Sequence, residues 1–578
     1  MRRLAPIAAV LLLAACGQQQ SAQSPASSTS APTPATSTSS TASASVATDH
    51  DFSPAITADD FAAEVKVLAS DAFGGRQPGT KGAKLTTDYL ISQFKRMGLK
   101  PGNDGKWLQK VPVVSTNLTN TDVTLNVDTG DKQVKFDYRT DMIVGTLQGK
   151  PEVSLKDSDI VFVGYGVDAP ERNWNDYKGV DVKGKTVIIL VNDPGFGTGN
   201  DKLFDGRAMT YYGRWTYKYE EAARQGAAAA FVVHDTEAAG YPWKVVEGSW
   251  SGPQFNLPMT KDSAPRLPVA GWLTTDAARR LFAAAGKDFD KLKAAANKRS
   301  FDAVDLGATA SIELKSKIDH FQSNNVLAMV PGSKHPEQAV IYTAHWDHLG
   351  TDPTLKGDQI YNGAVDNATG VAALLELAGK FAHQETPPER SVLFTAVTLE
   401  ESGLLGSKYY VEHPVFPLDQ TVADINIDAL APIGRAKNLT VVGLGNSQLD
   451  DYLKAAVALQ DRTLSPEDSP EKGYYFRSDH FSFAKAGVPA LYIDSGENLR
   501  DGGKKAGRAA IADYTAHRYH APGDEYDAKT WKLDGVVEDL KALYQVGLKL
   551  ADSNVFPDWA KDSPFRAKRQ AMMDDTKS

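Results

Sequence analysis

Apolar residues recur at helix spacing from Ile56 onward, with Phe61, Val65 and Leu68 on one face, and the pattern stops near Phe73-Gly74-Gly75-Arg76. A second helical stretch runs from about residue 84 to 97, offers Leu85, Tyr89, Phe94 and Met97 to one face, and ends at Gly98. After Pro112 the period changes to two: Val123, Leu125 and Val127 alternate with polar residues, as in a half-buried strand. Between about 145 and 310 the chain breaks into short aliphatic runs bounded by glycine, at 161–166 and 185–191, then a helix at 217–224 and the run 226–233. That order predicts a small α/β or β-rich module. From about 320, strands of a fully buried type at 339–343, 392–398, 422–427 and 488–493 alternate with helices, the clearest at 368–383. Alternation of this kind predicts an α/β fold, a mainly parallel sheet covered by helices on both faces. Ligands of such sheets bind beyond the C-terminal ends of the strands.

The residues just past each strand are therefore informative. His345 and Asp347 come after the first, Glu400 and Glu401 after the second, and Asp428 after the third. Asp366, in Gly363-Ala364-Val365-Asp366-Asn367, precedes the long helix, and His520 lies in a late loop. Singly, each has a plain structural reading: Asp428 a helix cap, Asp366 a turn residue, adjacent glutamates a solvated face. Together, imidazoles and carboxylates make a donor set that suits zinc. Two histidines and three carboxylates are enough for two zinc ions if one carboxylate bridges them. Glu400 then remains free to act as general base while Glu401 binds metal. Asp347, two residues after His345, is placed to hydrogen-bond a ligand imidazole and fix its tautomer. No Gly-x-Ser-x-Gly element points to a serine hydrolase.

The ordered series H-x-D, V-D-N, E-E-S-G, N-x-D and Y-H-x-P resembles the co-catalytic zinc aminopeptidase family (family twenty-eight of the metallopeptidases). The resemblance covers about 55–140 and 316–550. It implies that His345, Asp366 (bridging), Glu401, Asp428 and His520 hold two zinc ions, with Glu400 the general base. Tyr519 resembles a tyrosine that helps to stabilise the oxyanion in some members. Motif position favours His345 and His520 over the neighbouring His348 and His517. Arg477-Ser478-Asp479-His480-Phe481 also resembles a family element and reads as support. The segment 141–315 resembles the protease-associated domain, a smaller β-rich module inserted in several exopeptidases. The implied activity is removal of N-terminal residues from peptides. Two alternatives keep the scaffold: a single-zinc glutaminyl cyclase, and a non-catalytic binding protein.

The amino terminus adds a location. Arg2 and Arg3 precede an apolar run too short to span a bilayer, which ends in Leu13-Ala14-Ala15-Cys16-Gly17. This resembles the lipobox of bacterial lipoproteins, whose cysteine is acylated and becomes the mature N-terminus. Cys16 is the sole cysteine of the 578 residues, so disulfides within the chain are excluded. Residues 17–51, rich in Ser, Thr, Ala and Pro, read as a disordered tether. The expected domains are then a signal at 1–16, the tether, the first part of the peptidase at 52–140, the insert at 141–315, the main catalytic part at 316–555, and a charged tail at 556–578. The expected location is the cell envelope of a Gram-negative-type bacterium, at the outer membrane or facing the periplasm, with the lipid as the only membrane contact. A net charge of -9 without a basic block disfavours nucleic acid as a partner; peptides are the partners that the family resemblance implies.

Overall fold

A computed structural model describes residues 50–575 except 121 and 199. The expected signal, Cys16 and the tether as far as residue 49 lie outside the described residues.

The catalytic part is built on a mixed sheet with a parallel centre. His335–His345 lies between Arg390–Val397 and Thr421–Ile427, parallel to both, and Ala490–Asp494 extends the parallel set. Asn438–Val441 follows on one side antiparallel to Ala490–Asp494, with Thr463–Pro466 beyond it, and the end of Val304–Val330 follows on the other, antiparallel to Arg390–Val397. Alternation along these strands feeds two cores. Val340, Tyr342, Val392 and Phe394 face Ala58–Leu68, Thr369–Ala382 and Asp534–Ala551 through Phe61, Leu374 and Leu543. Ala339, Ile341 and Leu393 face the other way, onto Tyr410, Phe483 and Trp559. Burial on both faces is why these strands read as unbroken apolar runs. Residues 556–575, read from sequence as a charged tail, pack against this second core. Trp559 and Phe565 are buried, and the Trp559 indole donates to the Gly487 carbonyl at 2.9 Å.

Val304–Val330 belongs to two sheets. Through Lys315 it pairs with Glu152–Phe162, and from Ser316 it pairs with Leu108–Leu118. Glu152–Phe162 runs parallel to Thr186–Leu190, which is parallel to Ala229–His234, itself parallel to Val269–Thr274. One continuous strand thus joins the two sheets without a loop between them. Among the described residues no helix is long and apolar enough to cross a membrane.

The Phe73-Gly74-Gly75-Arg76 turn fixes the strand-end loops of the catalytic sheet. Gly74, Gly75 and Arg76 are all left-handed, and a Cβ on Gly75 would stand 2.3 Å from the Gly350 carbonyl oxygen. The turn drives Arg76 fully inside. Its guanidinium donates to the carbonyls of Leu68 (2.8 Å), Trp346 (2.9 Å), Asn362 (2.6 Å) and Gly363 (2.8 Å). Replacing it takes the donor from the carbonyls of Leu68, Trp346 and Asn362, while the Gly363 carbonyl keeps the Ala368 N–H. Arg76→Met is expected to lower the free energy of unfolding by about 3–5 kcal/mol. Arg76→Lys, which lacks the planar fork, should recover little of it. Urea denaturation measures both, and a wild-type midpoint in Arg76→Met would refute the assignment.

Candidate metal centre

Parallel strands end together, and their ends supply the site. His345 is the last residue of its strand and Asp428 directly follows Thr421–Ile427. Glu400 and Glu401 stand just past Arg390–Val397, after Leu399 in a left-handed conformation (φ 59°). Asp366 sits in the turn before Thr369–Ala382, and His520 follows Gly503–His517. Ala429 and His520 are also left-handed, so the rim holds strained backbone beside its functional groups.

The five side chains singled out as metal ligands converge. His345 Nε2 lies 3.2 Å from Asp428 Oδ1 and 3.3 Å from Asp366 Oδ1. His520 Nε2 lies 3.1 Å from Asp366 Oδ2 and 3.2 Å from Glu401 Oε2. Asp366 is common to both groups and turns one oxygen to each. Donors bound tetrahedrally to one zinc at 2.0–2.1 Å stand about 3.3 Å apart, so both groups have the spacing the ion requires.

Electrostatics point the same way. Burial alone would push the Asp366 carboxyl up, but the hydrogen-bonded imidazoles of His345 and His520 hold it well below the usual range. Burial would likewise raise Glu401, and His520 with His348 brings it down to about 2. Burial opposes charge on the imidazoles, yet Glu401 and Asp366 lift His520 to about 11, and Asp428 and Glu400 lift His345 well above its ordinary value. Without another cation, protons on these rings balance the carboxylates. Glu400 differs. Among the described residues no Lys, Arg or His pairs with its side chain, and burial, then the charges of Asp428 and Glu401, raise it well above an ordinary carboxyl against the pull of His345. It lines a cavity of about 580 Å³ together with Asp428, Tyr519 and His520. Tyr519 is 48% exposed and stacks on the His520 ring at 4.0 Å.

Two placements differ from the sequence reading. The partner of His345 Nδ1 is the backbone carbonyl of Asp347 (3.1 Å), whereas the Asp347 carboxylate stands 3.9 Å away. That carboxylate accepts the Glu400 N–H instead (3.2 Å), because a residue two positions on turns its main chain toward the ring and its side chain toward the next loop. His348, set aside in favour of His345, is buried with Nδ1 2.6 Å from Glu401 Oε1. With Asp366 and Glu401 it forms a second possible donor group. His348 meets Glu401 beside a separate cavity lined also by Trp215, Phe255 and Arg266, while His520 meets it from the cleft. His517 points to solvent and bonds Asp513.

The supporting bonds run between distant segments. Asp524 accepts the N–H groups of Val365 and Asp366 (3.0 Å each) and so fixes the central carboxylate. Asn367 donates to the Ile427 carbonyl and accepts the Ala429 N–H (3.1 Å each), bracketing Asp428. The Ser478 hydroxyl donates to Asp428 Oδ2 at 2.7 Å. Within the Arg477–Phe481 element, Asp479 accepts from Ser407 at 2.6 Å and His480 is buried between the rings of Tyr475 and Tyr492.

Known proteins share parts of this chain. A 127-residue segment is 37% identical to a probable zinc metalloprotease of Pyrenophora teres f. teres (strain 0-1), covering 22% of this chain and 23% of that protein. Another is 32% identical over 127 residues to the mouse (Mus musculus) protein named aminopeptidase NAALADL1, covering 21% and 16%. The aligned region thus spans about a quarter or less of these curated relatives. Among solved structures, the aminopeptidase from Aneurinibacillus sp. strain AM-1 aligns over 85% of this chain and 94% of its own, at 20% identity and a TM-score of 0.47. BSAP, a zinc aminopeptidase from Bacillus subtilis, aligns over 89% and 100%, at 17% identity and a TM-score of 0.39. Residues 325–544, which carry His345, Asp366, Glu400, Glu401, Asp428 and His520, match the model of Peptidase family M28.

Proposed function

We propose that this chain is a zinc-dependent exopeptidase that removes N-terminal residues from peptides, with two zinc ions held by His345, Asp366, Glu401, Asp428 and His520. The observation that carries the reading is Asp366, whose two carboxylate oxygens each stand 3.1–3.3 Å from a different imidazole. The match of 325–544 to a peptidase family and the names of the relatives support the same activity. Two donor groups sharing one carboxylate speak for two ions, and so for a peptidase over a single-zinc cyclase. The envelope location, and the lipid on Cys16, belong to this proposal on the strength of the amino-terminal sequence.

Bound zinc supplies Lewis-acid polarisation of a carbonyl and a lowered pKa for water. The protein's own groups do the rest. Glu400, half-buried at the wall of the cleft beside Asp428, takes the proton of the attacking water and returns it to the leaving amine. The Asp347 carboxylate holds the Glu400 backbone, and Ser478 keeps Asp428 oriented. Tyr519 faces the cavity beside His520, where its hydroxyl can donate to the developing oxyanion. The cleft also suits an ammonium group. Among the described residues Asp494 lines it without a cationic partner, raised to about 7 by burial and then by Glu497 and Asp428.

Peptides with a free amino terminus should release their first residue, whereas N-acetylated ones should resist; equal cleavage of both, or formation of pyroglutamate, contradicts the reading. Glu400→Gln should lower kcat about 10²–10⁴-fold with zinc content unchanged. Full activity in that variant removes Glu400 from the mechanism. Zinc binds neutral imidazole, and His345 and His520 are raised in pKa without it, so uptake at neutral pH should release about two protons. Affinity should therefore rise with pH. Calorimetry in buffers of different ionisation enthalpy counts the protons, and a count of zero refutes the assignment.

A further inference from the structure

Beside the five ligands the rim holds a third imidazole, and it is buried. His348 joins the cluster through Glu401. Asp428, His345, Asp366, His520, Glu401 and His348 then form one alternating series of carboxylate and imidazole, with neighbours between 2.6 and 3.3 Å apart. His348 lies near enough to Asp366 and Glu401 to offer a metal ligand of its own. The distances assign it another part. Two donors on one tetrahedral zinc stand about 3.3 Å apart. His520 Nε2 keeps that spacing from Asp366 Oδ2 (3.1 Å) and from Glu401 Oε2 (3.2 Å). His348 Nδ1 is 2.6 Å from Glu401 Oε1, well inside that spacing and at the separation of a short hydrogen bond to a carboxylate. A carboxylate oxygen only accepts, so Nδ1 donates. The oxygen that it takes is the one that His520 leaves.

Glu401 is therefore held as Asp428 is. Asp428 turns Oδ1 to His345 and accepts the Ser478 hydroxyl on Oδ2. In each case one oxygen faces a ligand imidazole and the other is pinned by a further side-chain donor. The pin matters more for Glu401, which carries one more rotatable bond than an aspartate and loses more freedom when it is fixed. His348 is itself locked. Its ring packs on Gly363, left-handed at φ 54°, where a Cβ would stand 2.5 Å from the ring Cδ2. The Gly363 carbonyl is in turn held by Arg76 at 2.8 Å, and the His520 ring meets His348 edge to face at 5.8 Å. Nε2 of His348 is buried without a hydrogen-bond partner among the described residues, so the bond to Glu401 is what gives this ring a polar role there.

We propose that His348 is a positioning residue for the second zinc ion: it pins Glu401 Oε1, leaves Oε2 set beside His520 and Asp366 to receive the ion, and binds no metal itself. The inference rests on the two-zinc reading and adds a sixth side chain to it. The two zinc positions then depend on different supports, Ser478 for the one at Asp428 and His348 for the one at Glu401, and can be weakened separately.

The test is calorimetric zinc titration of the full chain after removal of metal by a chelator, with His348→Ala, His348→Asn and His348→Gln beside the wild type. The Asn amide nitrogen falls where Nδ1 stood and can donate the same bond, whereas the longer Gln side chain carries its nitrogen to the place of Nε2. His348→Ala should weaken one of the two ions by about 10–100-fold and leave the other unchanged, and His348→Asn, but not His348→Gln, should recover most of the loss. Cobalt in place of zinc reports on the ligands, and wild type and His348→Asn should share one visible absorption spectrum. Unchanged affinity for both ions in His348→Ala overturns the inference, and so does a weakening of both ions alike. A changed cobalt spectrum in His348→Asn makes His348 a ligand and overturns it as well. Should His348→Ala fail to fold, the other pair decides: equal affinities in His348→Asn and His348→Gln overturn the positioning role. All of these outcomes leave the two-zinc reading standing. A wild-type chain that takes up fewer than two ions sinks that reading, and the inference with it.

Discussion

Carboxylates gathered in a dry space repel one another, by about 4 kcal/mol for two unit charges 4 Å apart at the effective dielectric near a protein surface. The rim of the parallel strands holds Asp347, Asp366, Glu400, Glu401 and Asp428 in that situation. The parallel sheet creates the problem, since it brings strand ends of one polarity to one edge. Cations are the natural solution, and the histidines stand where donors to shared cations belong. Glu400 is the group whose charge the arrangement leaves least compensated. That is the property a proton acceptor needs, because a carboxylate tied to a cation is a poor base.

Such a cluster stays in place only because its backbone is tied down from elsewhere. Arg76 grips the carbonyls around two strand-end loops, Asp524 caps the turn that carries Asp366, and Asn367 brackets Asp428. These bonds connect residues 60 to almost 300 positions apart in the chain. Each satisfies a buried polar group, and each sets the orientation of a neighbouring carboxylate. The frame also explains why the first segment of the chain packs with the strand-end loops of residues 346–363. Its contribution to the site is one turn and one arginine.

The parallel core was legible in the sequence because strands buried on both faces must be apolar throughout, and the residues after them are polar by contrast. His345, Glu401 and Asp428 could be picked out on that ground, and Asp366 and His520 on motif order. What escaped are the groups whose meaning lies in distant partners. Arg76 reads locally as the end of a glycine turn, and Asp524 as one more acid in a polar loop. His348 and His345 are three residues apart with little in the pattern to divide them, yet burial turns one toward Asp428 and the other toward Glu401. Side-chain direction within a loop has no periodicity to read, which is why the carboxylate of Asp347 went to Glu400 and its carbonyl to His345.

Zinc content of the dialysed full chain, measured beside that of Asp366→Ala, decides whether Asp366 is shared by two cations. The expected result is about two zinc ions per wild-type chain, with both lost when the shared carboxylate is removed. A wild-type chain that holds one ion or none, or an Asp366→Ala variant that retains two, would contradict the shared site.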